Sequence, residues 1–219
     1  MITLEEVKKN SLVDAYIARA DQYLEVIGYT EHGRRHGGMV AKSARSILLE
    51  LGLPAREAEL SAIAGYLHDI GNVFNRVNHS LTGAVLAHTL LLGMEMPPDE
   101  ITQIVAAIGS HDEASCEPVS NISAGLIIAD KSDVHRSRVR NPEMIKFDIH
   151  DRVNYAVENS KLSVDREKRA ITLDLTIDTK ISPVAEYFEI FLSRMLFCRR
   201  AANFLSCEFS LVANGNRLL

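Results

Sequence analysis

The feature that most constrains this chain is an apolar run that ends in two ionisable side chains. Leu60, Ala62, Ile63, Ala64, Gly65 and Leu67 lead straight into His68-Asp69, and Ile70-Gly71-Asn72 follow. Burying an imidazole and a carboxylate at the end of an apolar helix is costly unless something compensates them. A metal ion does so well, because it accepts the imidazole nitrogen and neutralises the carboxylate. Gly71 is expected to end the helix and leave the pair at its C-terminal edge, where a cavity can open.

The rest of the chain has to supply a core around that run. Its 219 residues are 47% hydrophobic and 24% charged, enough for one good core and a small appendage. The formal net charge of −5 argues against a nucleic-acid partner, which calls for a basic surface. It leaves room for a small phosphorylated substrate, which needs only a local positive site. Cys116, Cys198 and Cys207 form no CxxC and read as free thiols in a reducing compartment. Met1 to Glu6 lacks a signal-peptide profile, and no apolar run reaches the roughly 18–20 residues of a membrane span. The expectation is a cytoplasmic protein with no membrane partner.

Helical spacing organises the first two thirds. Thr3-Leu4-Glu5-Glu6 has the pattern of a capping box, and Val7, Val13, Ile17, Ala20, Leu24 and Ile27 continue one helix to about Gly28. A polar segment holding His32 delivers His36 to a second helix, which Gly52 stops. Pro54 opens the third helix, the one carrying His68-Asp69. A polar loop with Arg76 precedes a fourth helix from His79 to about Gly93. Pro97-Pro98-Asp99-Glu100 starts a fifth, ending at Ser110-His111-Asp112-Glu113. A sixth runs from Ser120-Asn121 to Ala129-Asp130.

Beyond about residue 140 the period changes. Leu162 and Val164, then Ile171, Leu173, Leu175 and Ile177, alternate with polar residues around the charged turn Arg166-Glu167-Lys168-Arg169, which predicts a β-hairpin. Pro183 to Leu205 reads as one long helix with an aromatic core stripe at Tyr187, Phe188 and Phe191, and Phe209 to Val212 as a third strand. The expected fold is mainly α. Residues 1–140 form a helical metal-binding bundle, and residues 141–219 form a small C-terminal α+β extension packed on it.

His36, His68, His79 and His111, with Asp69 and Asp130, each stand at or near the end of an apolar helix. Packed helices can aim such side chains at one interior point. In order, His36, His68-Asp69 and Asp130 resemble the HD-domain superfamily of metal-dependent phosphohydrolases. His79-Ser80-Leu81-Thr82-Gly83-Ala84 resembles an element of members that hold two metals, and Ile108-Gly109-Ser110-His111 resembles their fifth element. The set is similar to bacterial dinucleoside-tetraphosphate hydrolases of this superfamily and, less closely, to its cyclic-di-GMP phosphodiesterases. The latter carry Lys where Asn72 stands here, and Cys116-Glu117-Pro118 replaces their Gly-Tyr-Pro.

The resemblance implies a helical HD bundle and a phosphohydrolase acting on a phosphate ester or anhydride, of a nucleotide or small metabolite, through a metal-activated water. It implies that His36, His68 and Asp130 hold one metal, that His79 and His111 hold another, and that Asp69 bridges them, with His68 and Asp69 at the catalytic position. Mixed imidazole–carboxylate ligation suits one or two ions of Fe, Mn, Co or Zn ahead of Mg. Lys131, Arg136 and Arg138, and Arg76 in its loop, are candidates for binding substrate phosphates. His32 and Asp112 are open as further site residues, whereas His88 reads as structural and His150 as a surface or interdomain pair with Asp151. Two rivals stay open on the same scaffold: a di-iron oxygenase of HD type, and a non-catalytic metal-bound nucleotide sensor whose C-terminal unit binds a partner or forms a homodimer.

Overall fold

One helix is apolar on every side and the others surround it. The structure, a computed structural model, describes residues 1–113 and 116–219. The central helix α4 (Ala55–Leu67) follows α1 (Leu4–Lys9), α2 (Ser11–Val26) and α3 (Arg34–Glu50). From Leu60 to Leu67 every residue of α4 is buried, as a helix without a polar face requires. Each fully buried Leu or Ile there contributes roughly 1.5–3 kcal/mol. Close approach of α3 is possible because Gly65 lies against the backbone of Ala41, where a Cβ would come within 3.1 Å.

After a 3-10 turn (Ile70–Val73) come α5 (His79–Gly93), α6 (Pro98–Gly109) and α7 (Asn121–Lys131). Helix α7 is buried continuously from Ile122 to Ala129 and packs on α3, α4 and α6. Its register against α4 is pinned by the Ser61 hydroxyl, which donates to the Ile122 carbonyl at 3.0 Å.

The remaining elements are α8 (Ile149–Ala156), β1 (Val157–Asp165), β2 (Ala170–Ile177), α9 (Val184–Phe204), β3 (Glu208–Ala213) and β4 (Asn216–Arg217). The sheet runs in the order β1-β2-β3-β4. β1 and β2 are the antiparallel hairpin, β2 and β3 are parallel with α9 as the crossover, and β4 turns back on β3. Ile171, Leu173, Leu175 and Ile177 point into the core, while β1 is a largely exposed edge. Tyr187 and Phe191 of α9 are buried, and α9 packs on α7 as well as on β3. Its far face therefore reaches the helical bundle.

Two expectations are corrected. The single helix to Gly28 is two, because Asn10 takes an extended backbone and its side chain accepts from the N–H groups of Leu12 and Val13, starting α2 afresh. The capping box of Thr3 and Glu6 is as expected. Gly71 is not the end of α4, which closes at His68; it lies inside the 3-10 turn with an ordinary φ. What demands glycine there is space, since a Cβ would sit 2.0 Å from the His79 carbonyl oxygen. Helix α8, capped by Asp148, was not foreseen at all. Among the described residues no helix is long and apolar enough to cross a membrane.

Candidate metal centre

The ends of four helices meet at the expected histidines. His36 lies in the first turn of α3, His68 at the cap of α4, His79 at the start of α5, and His111 just past the end of α6. All are buried, as is Asp69, and Asp130 comes from the last turn of α7. The left-handed backbone of Asn78, φ 60°, turns the chain into α5 so that His79 faces inward.

The imidazoles share one orientation. The Nδ1–H of His68 donates to the Gly65 carbonyl at 2.8 Å, that of His79 to Arg76 at 3.0 Å, and that of His111 to Ile108 at 2.6 Å. His36 Nδ1–H donates to Asp133 Oδ2 at 2.7 Å. A carbonyl only accepts, so each Nδ1 carries the proton and each Nε2 of a neutral ring is left with a lone pair. These Nε2 atoms face one another: His36 and His68 at 3.3 Å, and His79 and His111 at 3.1 Å. Two lone pairs so placed repel unless a cation stands beside them. Separations of about 3.0–3.4 Å are those of neighbouring ligands around an ion held at roughly 2.0–2.1 Å.

The carboxylates complete the pattern. Asp69 Oδ2 is buried without a hydrogen-bond partner, 3.1 Å from His68 Nε2 and 3.6 Å from His36 Nε2. Its Oδ1 lies 3.5 Å from His79 Nε2, so the two oxygens are turned to different imidazole pairs. Asp130 Oδ1 stands 3.3 Å from His36 Nε2 and 3.5 Å from His68 Nε2. Among the described residues, two sets have ligand atoms mutually within 4.8 Å: His36, His68 and Asp130, and His68, Asp69 and His111. These clusters could hold a divalent metal, and the orphaned Asp69 oxygen is what such an ion would satisfy.

The electrostatics agree. Burial would raise the carboxyls of Asp69 and Asp130, yet His68 and neighbouring cations hold both well below the ordinary range. Burial lowers His79 and, further, His111, keeping those rings neutral as ligation requires. His68 is the exception. Burial acts to lower it, but Asp69 and Asp130 together pull it up to about 10. The two carboxylates call for a positive charge between them.

Residues that sequence reasoning did not single out hold this arrangement. Asp133, one turn after Asp130, orients His36 and is itself fixed by Arg35 at 2.9 Å; its spacing from Asp130 was the available signal. Asn72 donates to Asp69 Oδ1 at 2.9 Å and accepts from Arg76 at 3.2 Å. Glu113 receives Lys131 at 2.7 Å and Arg194 of α9 at 3.2 Å, a contact only the tertiary fold makes. His32 does join the cluster: its ring meets that of His36 edge-on with centroids 5.4 Å apart. Asp112 is half-buried, close enough for its charge to act on His79.

The expected basic cluster is redistributed. Lys131 is buried and ion-paired to Asp130 and Glu113, both at 2.7 Å, so its charge is committed inside the protein. Arg136 pairs with Glu158 at 3.1 Å and lies over Tyr155. Arg138 is buried, donating to the carbonyls of Asp133 and Glu31. These partners tie all three side chains to the protein's own carboxylates and carbonyls. Arg76 differs, lying 3.5 Å from Asp69 Oδ1 and lining a cavity of 330 Å³ together with His32, Arg138 and Arg194. His150 is exposed at the rim of that cavity, and His88 is exposed on α5.

Comparison with known proteins gives the same centre a lineage. The chain is 27% identical over 210 residues to the uncharacterized protein MJ1020 of Methanocaldococcus jannaschii, which covers 85% of this chain and 78% of that protein. Residues 34–136 match the family model described as HD domain, a span that contains His36, His68, Asp69, His79, His111 and Asp130. This part of the chain is thus similar to HD domains.

Proposed function

We propose that this protein is a metal-dependent phosphohydrolase acting on a phosphate ester or anhydride of a nucleotide or small phosphorylated metabolite. HD domains are in general metal-dependent phosphohydrolases, and the observation that carries the reading here is the convergence of four imidazole Nε2 atoms around the Asp69 carboxylate, one oxygen of which is buried without a partner. In this reading His36, His68 and Asp130 would hold one ion, His79 and His111 would hold a second, and Asp69 would serve both. Fe, Mn, Co and Zn all suit such a set. When bound, divalent ions supply a water that loses its proton near neutral pH and positive charge for the phosphoryl oxygens.

The chain's own residues do the rest. The Nδ1 hydrogen bonds hold each ring in the tautomer that presents Nε2, and Asp133 adds electron density to His36. Asn72 and Arg76 fix the Asp69 carboxylate so that its second oxygen stays directed at His36 and His68. Lys131 balances the charge of Asp130.

The test is phosphate release across a panel of nucleotides and phosphorylated metabolites, with Mn, Fe(II), Co, Zn or Mg added in turn and Asp69→Ala as the control. Metal-dependent release that disappears in Asp69→Ala, with the helical circular-dichroism signal kept, is the expected result. Release that is independent of metal, or undiminished in Asp69→Ala, refutes the assignment. Bound metal with no release from any substrate refutes the hydrolase reading itself.

A further inference from the structure

The cavity beside the metal cluster joins two parts of the chain that the sequence keeps far apart. Its inner wall carries Arg76, from the loop after His68-Asp69, and Arg194, from α9 in the C-terminal third. Each is tied to a different end of the cluster. Arg76 reaches Asp69 directly, whereas Arg194 reaches Asp130 through Glu113 and Lys131.

Their guanidinium groups are held but not used up. Arg194 donates through Nε to Glu113 at 3.2 Å and lies over the Phe191 ring at 4.8 Å; among the described residues, its other two nitrogens make no hydrogen bond. Arg76 donates through one terminal nitrogen to Asn72 and lies over Tyr29 at 5.5 Å. Both side chains are about a quarter exposed, at 26% and 27%. An arginine stacked on a ring and anchored at one nitrogen presents a fixed fork, the geometry that suits a phosphate. Arg138, on the same wall, spends its nitrogens on carbonyls and adds charge rather than donors.

The side of the cavity shared with an adjoining one has the other sign. Asp148 and Asp151 line it and line the adjoining outer cavity of 300 Å³. A ligand would therefore place its phosphate inward and hydroxyl or amino groups outward, where a second phosphate is repelled. The inner cavity, 330 Å³, is at the small end of ligand pockets and matches one phosphorylated unit.

We infer that Arg194 of α9, together with Arg76, binds the phosphate of a small monophosphorylated substrate, so that the C-terminal unit completes the substrate pocket of the HD domain. This rests on reading the cluster as a phosphate-processing centre, but it is tested by binding. The probe is inorganic phosphate, titrated calorimetrically into the metal-reconstituted full chain. Arg194→Ala should weaken phosphate binding at least tenfold, with Arg194→Lys recovering part of the loss. Glu113→Gln loosens the anchor of Arg194 but leaves its charge in the cavity, so phosphate affinity should fall by less than in Arg194→Ala.

Equal losses in Arg194→Ala and Glu113→Gln would make the pair merely structural and overturn the inference. So would unchanged affinity in Arg194→Ala, or no phosphate binding by the wild type. In competition, glucose 6-phosphate should displace phosphate at lower concentration than glucose 1,6-bisphosphate; the reverse order overturns the assignment of the acidic side. Arg194-dependent phosphate binding without hydrolysis of any ester would sink the proposed function and leave this inference standing. Hydrolysis with Arg194-independent binding would do the opposite.

Discussion

Gly71→Ala is the substitution whose consequence can be worked most directly from the coordinates. Gly71 needs no unusual φ, so an alanine there is acceptable to the local backbone. Its Cβ, however, would lie 2.0 Å from the His79 carbonyl oxygen, 2.4 Å from the Gly83 nitrogen and 2.6 Å from Thr82 Oγ1. The first two are backbone atoms of α5, so no side-chain rotation relieves the clash and the 3-10 turn must move off the helix by about 1 Å. Overpacking of this kind costs about 3 kcal/mol, the upper end of the usual range. For a chain of this size that corresponds to a fall in Tm of about 6–12 °C. Thermal melts in chelator, followed by circular dichroism, would measure it without interference from metal. Gly93→Ala, in the last turn of the same helix with nothing within 4 Å of its Cβ, is the control and should melt at or slightly above the wild type. The same displacement separates Asp69 from His79, now 3.5 Å apart, so reconstituted Gly71→Ala should also bind less metal. A Gly71→Ala protein that melts within 2 °C of the wild type would show that the turn and α5 are not packed as described.

Further outcomes follow from the site. Asp133→Ala removes the acceptor of the His36 Nδ1–H, and metal affinity measured by chelator competition should fall about 10–100-fold while Asp133→Asn loses less. Metal present at 100 times its Kd stabilises by about 2.7 kcal/mol, so chelation should lower the wild-type Tm by about 5–11 °C and leave that of Asp69→Ala unchanged. Equal responses in the two proteins would place the metal elsewhere. Burial would raise the Glu113 carboxyl, but Lys131 and then Arg194 bring it down to about 2 from an ordinary 4.5. A depressed carboxyl stabilises the fold above its unfolded value and loses that contribution as pH falls from 4.5 toward 2. At about 1.36 kcal/mol per pH unit this is roughly 3 kcal/mol. The Tm advantage of wild type over Glu113→Gln should thus be full above pH 5 and vanish near pH 2; a constant difference across that range would contradict the pairing.

What the chain's sequence determined by itself was whatever depends on local period and punctuation. The helices holding the cluster, the hairpin, α9 and the third strand were legible because apolar spacing, Pro54, Pro98, Ser120 and the turn around Lys168 are short-range signals. The six converging ligand candidates were legible too, since each stands at the mouth of an apolar helix and their order matches a known family. Asn10 escaped because its cap interrupts an otherwise continuous helical period, and α8 because its eight residues carry too little apolar pattern. The destination of charge was not legible. Nothing local says that Lys131 turns to Asp130 and Glu113, that Asp133 holds His36, or that Arg194, far along the chain, shares a cavity with Arg76. Those pairings exist because α9 packs on α7 and the chain's ends of helices meet in one interior, and a long-range contact of that kind is decided by packing alone.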